Sequence, residues 1–221
     1  MEVHAGEGGD DSKIFVQQLF DAYQRCARKR NLTFEWLDDG DGYAEAAILG
    51  AGAQHFRQEA GGHCVQRIPP TERNGRRQTS MVSVAVLPLQ EHPPQLNLAD
   101  VEITAQRGHG RGGQNQNKVA SACRVIHRLS GLMVFVNGRD FHRNKARALQ
   151  VLAERLEARH HQAHNARENA MRQQQIGYGG RGNKIRTYNF FHDLAVDHRT
   201  GHKVHNLQSV MAGDIDLLWE S

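Results

Sequence analysis

Hydrophobic and polar positions in the first hundred residues follow first a helical and then a strand-like spacing. Between residues 12 and 29 apolar side chains recur every three or four positions, which predicts an amphipathic helix with Asp11 or Ser12 as its N-cap. Four strand-like segments follow, at 33–37, 44–50, 62–68 and 78–87. The last two flank a segment that contains Pro69-Pro70. This order predicts an α+β unit with a prominent loop between two strands.

The second half of the chain begins after a proline-containing linker at 89–99. Its pattern predicts a strand at 101–105, a glycine-rich loop at 108–113, a short helix at 117–123 and a hairpin at 124–136. Residues 141–174 contain no glycine or proline, which predicts one long helix, polar over most of its surface after Leu156. A glycine-rich connector at 177–182 precedes a strand at 185–191, a turn at 197–201 and an apolar tail at 215–219.

The distribution of charge suggests the chemistry of a partner. The chain has 221 residues and a net charge of +4. Residues 1–103 carry 10 basic and 15 acidic side chains, residues 104–177 carry 13 and 4, and residues 178–221 carry 5 of each. The middle third is therefore strongly basic, which favours a polyanionic partner, with nucleic acid the leading candidate.

Several classes of protein do not fit the sequence. No apolar run approaches the roughly 20 residues that a membrane span needs, and the first residues resemble neither a signal peptide nor a transit peptide. The three cysteines, Cys26, Cys64 and Cys123, are odd in number and far apart, so we expect buried thiols rather than a disulfide framework. These features predict a cytoplasmic protein without membrane contact.

The glycine-rich loop is compatible with more than one function. Its GxGxxG pattern would need a βαβ unit for dinucleotide binding, and a phosphate-binding Walker loop is excluded because Val119 follows Lys118. A loop without function is a second possibility. The third is a loop that enters RNA, with Arg107, Arg111 and Lys118 on phosphates. The amide of Gln114 is neither acid nor base near neutral pH, so catalysis there would work by positioning water and aiming donors at an oxyanion.

The loop and the blocks after it resemble a known family. Gly112-Gly113-Gln114, followed by Asn115-Gln116-Asn117-Lys118, is similar to the GGQ loop of bacterial-type class I peptide chain release factors. Four further blocks match the family in the same order: 143–149, 186–190, 197–199 and 213–216. The resemblance implies a multi-domain α+β fold, with a decoding domain at 1–103 and a GGQ catalytic domain at 104–177 that has a small sheet and a long C-terminal helix. Residues 178–221 would then pack on the decoding domain.

The resemblance also implies a catalytic role for the loop. Gly112, Gly113 and Gln114 would enter the ribosomal peptidyl transferase centre, where the Gln114 backbone N–H stabilises the transition state and water hydrolyses the peptidyl-tRNA ester. Neither metal nor cofactor is implied. Gln114 would be methylated by a dedicated glutamine methyltransferase. The basic residues Arg107, Arg111, Lys118, Arg143 and Lys145 would contact rRNA.

A second set of residues would read the stop codon. Pro69-Pro70-Thr71 resembles the Pro-x-Thr tripeptide of the factor that reads UAA and UAG. Gln66 and Thr79 would then read the third base, and Gly8 and Asp11 the first. Gln78 stands where the family has a histidine that stacks on the second base, and Asp11 stands where a glutamate is common. We therefore expect UAA and UAG to be read, with altered discrimination at the second and third bases.

The resemblance leaves two alternatives and several expectations about partners. A rescue factor would hydrolyse peptidyl-tRNA without a codon, but such factors lack the Pro-x-Thr module. A ribosome-associated decoy would decode without catalysis, and the GGQ loop argues against it.

The predicted partners are rRNA, the mRNA stop codon and P-site peptidyl-tRNA, with the protein a monomer. The family motif near Gly8 begins at residue 6, without the preceding helical domain, so dependence on the recycling GTPase is in doubt. Glu157, His160, His161 and His164 share a helix face that suits rRNA better than zinc.

Overall fold

The computed structural model describes residues 1–89, 96–108, 118–176, 182 and 184–219. Its residues form two units, one of Met1–Leu89 with Glu168–Ser221 and the other of Gln90–Arg167. Both contain helices and strands, so the predicted multi-domain α+β fold is confirmed.

The first unit is built on a mixed sheet, which has eight strands within the described residues. The strands are β1 (Glu2–Ala5), β2 (Thr33–Gly40), β3 (Tyr43–Leu49), β4 (Gly61–Arg67), β5 (Gln78–Ala85), β9 (Lys184–Asn189), β10 (Leu194–Asp197) and β11 (Lys203–His205). Their order across the sheet is β11-β10-β9-β4-β5-β1-β3-β2. Strands β4 and β9 run parallel and the other neighbours are antiparallel.

Helix α1 (Asp10–Lys29) packs on this sheet through the apolar face that its spacing predicts. Its buried side chains include Phe15, Leu19, Phe20 and Tyr23, which join the main hydrophobic core. Two 3₁₀ helices, Ala53–Glu59 and Ile215–Leu218, and the short helix α3 (Leu207–Met211) complete the elements around that core.

A buried polar network lies within the same unit. Arg186 on β9 is fully buried and forms ion pairs with Glu59 at 2.7 Å and with Asp197 at 3.3 Å. The indole N–H of Trp219 also donates to Glu59, so the apolar tail is attached to the core by a hydrogen bond as well as by packing. Such charges are tolerated inside a protein only when they are paired, as they are here.

The second unit has a smaller sheet and most of a long helix. Its strands are β6 (Val101–Gln106), β7 (Ala122–His127) and β8 (Met133–Val136), paired antiparallel in that order. Helix α2 (Phe141–Ile176) buries Ala148 and Leu152 against Cys123, Val125 and Val134. The last turns of α2, from Glu168 onward, belong to the first unit, where Arg172 forms an ion pair with Glu2.

The structure corrects two local predictions. The N-cap of α1 is Gly9, because the carboxylate of Asp11 binds Arg67 and Ser80 and the Ser12 hydroxyl donates to the Gly9 carbonyl. The helix predicted at 117–123 is wrong at its end, since residues 122 and 123 begin β7 and pair with β6. Strand β1 was not predicted. The boundary expected between residues 103 and 104 falls inside β6, which pairs wholly within the smaller sheet.

Candidate functional site

The segment before α1 approaches strand β5 very closely. Gly8 has a φ of +133°, and a Cβ added there would lie 2.4 Å from the side chain of Ser80. Only glycine fits this conformation and this spacing. The first turn of α1, which Gly9 caps without a side-chain hydrogen bond, is thereby held beside β5. The backbone N–H groups at such a helix start are available donors for a carbonyl or an anion.

Asp11 faces inward from this turn. Its side chain is buried, with Oδ1 accepting from Arg67 Nε at 2.8 Å and Oδ2 accepting from the Ser80 hydroxyl at 2.7 Å. Arg67 also donates to Gln18 at 2.5 Å. The carboxylate that sequence reasoning placed among the first-base readers therefore braces the helix start against β4 and β5.

Three polar side chains lie in a row across neighbouring strands of the sheet. Gln66 on β4 is directly opposite Thr79 on β5 and is also paired with Asn189 on β9. Paired residues of adjacent strands project from the same face, and Asn189 Nδ2 donates to Gln66 Oε1 at 2.8 Å. All three are half-buried. Two of the predicted third-base readers are thus brought together, next to a partner that sequence reasoning missed.

The loop between β4 and β5 is organised around Glu72. The Glu72 N–H donates to the Pro69 carbonyl at 3.0 Å, which closes a turn and leaves Pro70 and Thr71 exposed at its tip. The Glu72 carboxylate accepts from the Asn74 N–H at 2.8 Å, Arg76 at 3.1 Å and the Gln78 amide at 2.9 Å. These donors, the Asn74 N–H first, lower the pKa of Glu72. Thr71 is therefore presented on a braced turn.

Two kinds of contact stabilise the end of this loop: a hydrogen bond of Gln78 and a contact between Arg77 and an aromatic ring that follows β9. The amide of Gln78 is exposed and held by Glu72. After β9, Phe190 is 42% exposed, and the guanidinium of Arg77 lies 4.5 Å from the ring centroid of Phe191. This cation–π contact links the loop to the β9–β10 turn.

The contacts described above bring most of the predicted codon readers to one end of β4 and β5: Gly8, Asp11, Gln66, Thr71 and Thr79.

The glycine-rich loop belongs to the second unit. Gly112, Gly113, Gln114 and Arg111 lie outside the described residues. Strands β6 and β7 are paired as far as Gln106 and Ala122, so the segment that contains the loop leaves and re-enters adjacent strands. Ser121, at its return, donates to the Gly138 carbonyl at 2.7 Å and accepts at its own carbonyl from Asn144 at 2.8 Å. Of the basic side chains predicted to contact rRNA, those of Arg107, Lys118 and Arg143 are exposed and that of Lys145 is half-buried.

Comparison with known proteins identifies the family. The PCRF domain matches residues 1–84 and the RF-1 domain matches residues 90–199. Peptide chain release factor 1 of Burkholderia multivorans is 40% identical over 228 aligned residues, and that of Methylibium petroleiphilum is 42% identical over 226. The chain belongs to the bacterial class I peptide chain release factors. The alignments cover 99% and 98% of this chain and 63% of each of those release factors.

A solved release factor structure has the same fold. RF2 of Thermus thermophilus aligns with a TM-score of 0.56 and 30% identity, over 99% of this chain and 65% of that one. In the part of this release factor that the structure describes, no helix is long and apolar enough to cross a membrane. Within the same residues, no cluster of three or more His, Cys, Asp or Glu side chains could hold a metal ion, those on α2 included.

Sequence reasoning missed three residues that organise the end of the sheet where the predicted codon readers lie: Arg67, Glu72 and Asn189. Arg67 contacts Asp11, which is 56 positions away in the sequence, and Asn189 contacts Gln66, which is 123 positions away. Local sequence spacing does not reveal contacts of this separation. Glu72 had a usable signal, because an acid two residues before Asn74-Gly75 can accept backbone N–H groups in a tight turn.

Proposed function

We propose that this chain is a translation termination factor that reads UAA and UAG in the ribosomal A site and promotes hydrolysis of the peptidyl-tRNA ester. The observation that carries the proposal is the placement of Gln66 and Thr79 as direct neighbours on β4 and β5, at the ends of which the Pro69–Pro70–Thr71 turn is braced. Single-stranded RNA is read through base edges by polar groups held in this way. The family membership and the Gly112-Gly113-Gln114 sequence add the catalytic half of the function.

The first base would be read mainly by backbone groups. The Gly8 segment is pressed against β5, and the first turn of α1 presents N–H donors that match the carbonyl oxygens of uracil. The buried Asp11 carboxylate supports this reading by holding the helix start on Arg67 and Ser80. Its contribution to the codon is then one of position, and any direct contact comes from its main chain.

Hydrolysis would be promoted by the loop at 112–114. Gly112 and Gly113 permit close backbone approach, the Gln114 N–H donates to the oxyanion of the transition state, and water is the nucleophile. A dedicated glutamine methyltransferase would methylate the Gln114 side chain. Arg107, Arg111, Lys118, Arg143 and Lys145 would bind rRNA phosphates, which position the domain without reading sequence. Hydrolysis would require both this chain and the cytoplasmic ribosome, and the chain would act as a monomer without a cofactor.

The test is release of labelled peptide from ribosomes that carry peptidyl-tRNA in the P site and UAA, UAG, UGA or a sense codon in the A site. We expect release on UAA and UAG to exceed release on UGA and on the sense codon by at least about tenfold, the discrimination that one or two base contacts supply. Equal release on all four programmes, or release on ribosomes with an empty A site alone, would overturn the decoding proposal and identify a rescue factor.

A further inference from the structure

The side chain of Asn189 has its polarity fixed by the backbone around it. Its Oδ1 accepts from the N–H groups of Phe191 at 3.0 Å and His192 at 3.1 Å. A backbone N–H group can only donate, so the carbonyl oxygen of the Asn189 side chain must face these two groups. Its NH₂ end consequently faces the opposite way, toward β4.

This polarity is passed on to Gln66. Asn189 Nδ2 donates to Gln66 Oε1 at 2.8 Å, and because an NH₂ group only donates, the Gln66 carbonyl must face Asn189. Among the described residues no protein acceptor binds the other end of the Gln66 amide. The Gln66 NH₂ group is therefore the end left for a ligand, on a half-buried side chain that lies opposite Thr79.

A fixed NH₂ donor suits a site that must accept both adenine and guanine. The two purines share the N7 acceptor, whereas adenine adds an N6–H₂ donor and guanine an O6 acceptor. An NH₂ donor can bind N7 of either purine, and the Thr79 hydroxyl can accept from N6 or donate to O6. Resting on the proposed function, we infer that Asn189 is a positioning residue that fixes the orientation of the Gln66 amide and thereby lets the third codon position be A or G.

The substitution Asn189→Asp should reverse the orientation of the Gln66 amide while keeping the hydrogen bonds that hold the turn after β9. The introduced carboxylate accepts from the Phe191 and His192 N–H groups as the asparagine does, but it can only accept from Gln66, so the amide must turn over. The Gln66 carbonyl then faces the base and loses the bond to N7 of either purine, but it can still accept from N6–H₂ of adenine, whereas guanine offers only the O6 acceptor in that place. We expect kcat/KM for release on UAG to fall about tenfold or more relative to UAA, as loss of a base contact does.

Asn206→Asp is the matched control. Asn206 lies in the same unit, and its Oδ1 also accepts a backbone N–H, that of Ser209 at 3.1 Å, but it makes no hydrogen bond to Gln66. The same added charge there should leave the ratio of UAG to UAA release unchanged. A loss of release that is equal on the two codons in Asn189→Asp would mean a purely structural role and would overturn the inference.

A second variant keeps the inference testable where Asn189→Asp does not fold. Gln66→Glu retains the bond from Asn189 and replaces the outward NH₂ by an acceptor oxygen, so it should lose UAG selectively as well. Equal loss on UAA and UAG in this variant would overturn the inference. Absence of codon-dependent release by the unmodified protein would instead defeat the proposed function, so the two failures are distinguishable.

Discussion

Arg67 on β4 and Asp11 in the first turn of α1 form a buried ion pair, with Arg67 Nε donating to Asp11 Oδ1 at 2.8 Å. The pair joins the helix start to the strand that carries Gln66. Two predicted elements of codon recognition are therefore joined by a buried ion pair.

Replacing Asp11 should destabilise the protein strongly. In Asp11→Ala the buried guanidinium of Arg67 loses its counter-charge, and breaking a buried pair from one side costs about 3–5 kcal/mol. Urea denaturation should show a fall of this size in the free energy of unfolding. Asp10→Ala removes an exposed acid from the same turn and should cost no more than about 1 kcal/mol. Equal effects of the two variants would contradict the role of the pair.

Stability should fall when the pH drops below about 6.5, because of His63. Burial lowers the pKa of this side chain to about 3, and its Nε2 donates to the Glu59 carbonyl while its Nδ1 accepts from the Tyr188 hydroxyl. In the unfolded chain the pKa returns to about 6.5. Between these values the unfolded state binds the additional proton, so stability is lost as the pH falls through this window.

The size of the effect can be measured with His63→Gln, which cannot titrate. From pH 7 to pH 5, His63 alone should lower the free energy of unfolding by about 2 kcal/mol. The loss over this range should be smaller in the variant by that amount, whatever its stability at pH 7. Parallel pH profiles of the two proteins would show that His63 does not remain neutral in the folded state.

Gly113→Ala tests the catalytic loop. We expect release on UAA to fall at least about a hundredfold, the effect of losing one oxyanion donor, while competition for the A site is retained. Gly131→Ala serves as the control, since Gly131 has a φ of +69° and stands in an open turn of the same unit. Retained hydrolysis in Gly113→Ala, measured on saturated ribosomes, would reject the assignment of the loop.

Gln78→His tests the departure from the family at the second base. The glutamine amide is held by Glu72, whereas an imidazole ring could stack on a base and add about 1–3 kcal/mol. The half-saturating concentration for release on UAA should therefore fall by roughly fivefold or more. Gln78→Leu, which lacks a ring, should show no such gain. If Gln78→His leaves the concentration dependence and the codon profile unchanged, the glutamine is equivalent to the histidine.

Local patterns predicted most of the elements but not the contacts between distant segments. The apolar spacing of α1 and the long glycine-free helix α2 are local signals, and both helices formed within two residues of their predicted bounds. Strand β1 is only four residues long, and it is stabilised by pairing with β3 and β5 rather than by its own propensity. Asp11 looked like a helix cap because the sequence does not reveal Arg67 beneath it.

The candidate site was predictable to a similar extent. The resemblance indicated Gln66 and Thr79 as a pair, and the antiparallel register places them opposite each other. Asn189 could not be found in this way, because the parallel pairing of β4 with β9 joins segments that are separated by the whole second unit.

The parallel pairing of β4 with β9 also determines when the proposed codon-reading site can be completed. During synthesis, β4 emerges from the ribosome long before β9, and the whole of the second unit is made between them. Gln66 acquires its partner on β9 only when the glycine-rich loop already exists, since contacts of such sequence separation close late. A nascent chain that has not yet reached β9 therefore lacks the Asn189 contact of Gln66, and the proposed codon-reading site is completed only after residues 112–114 have been synthesised.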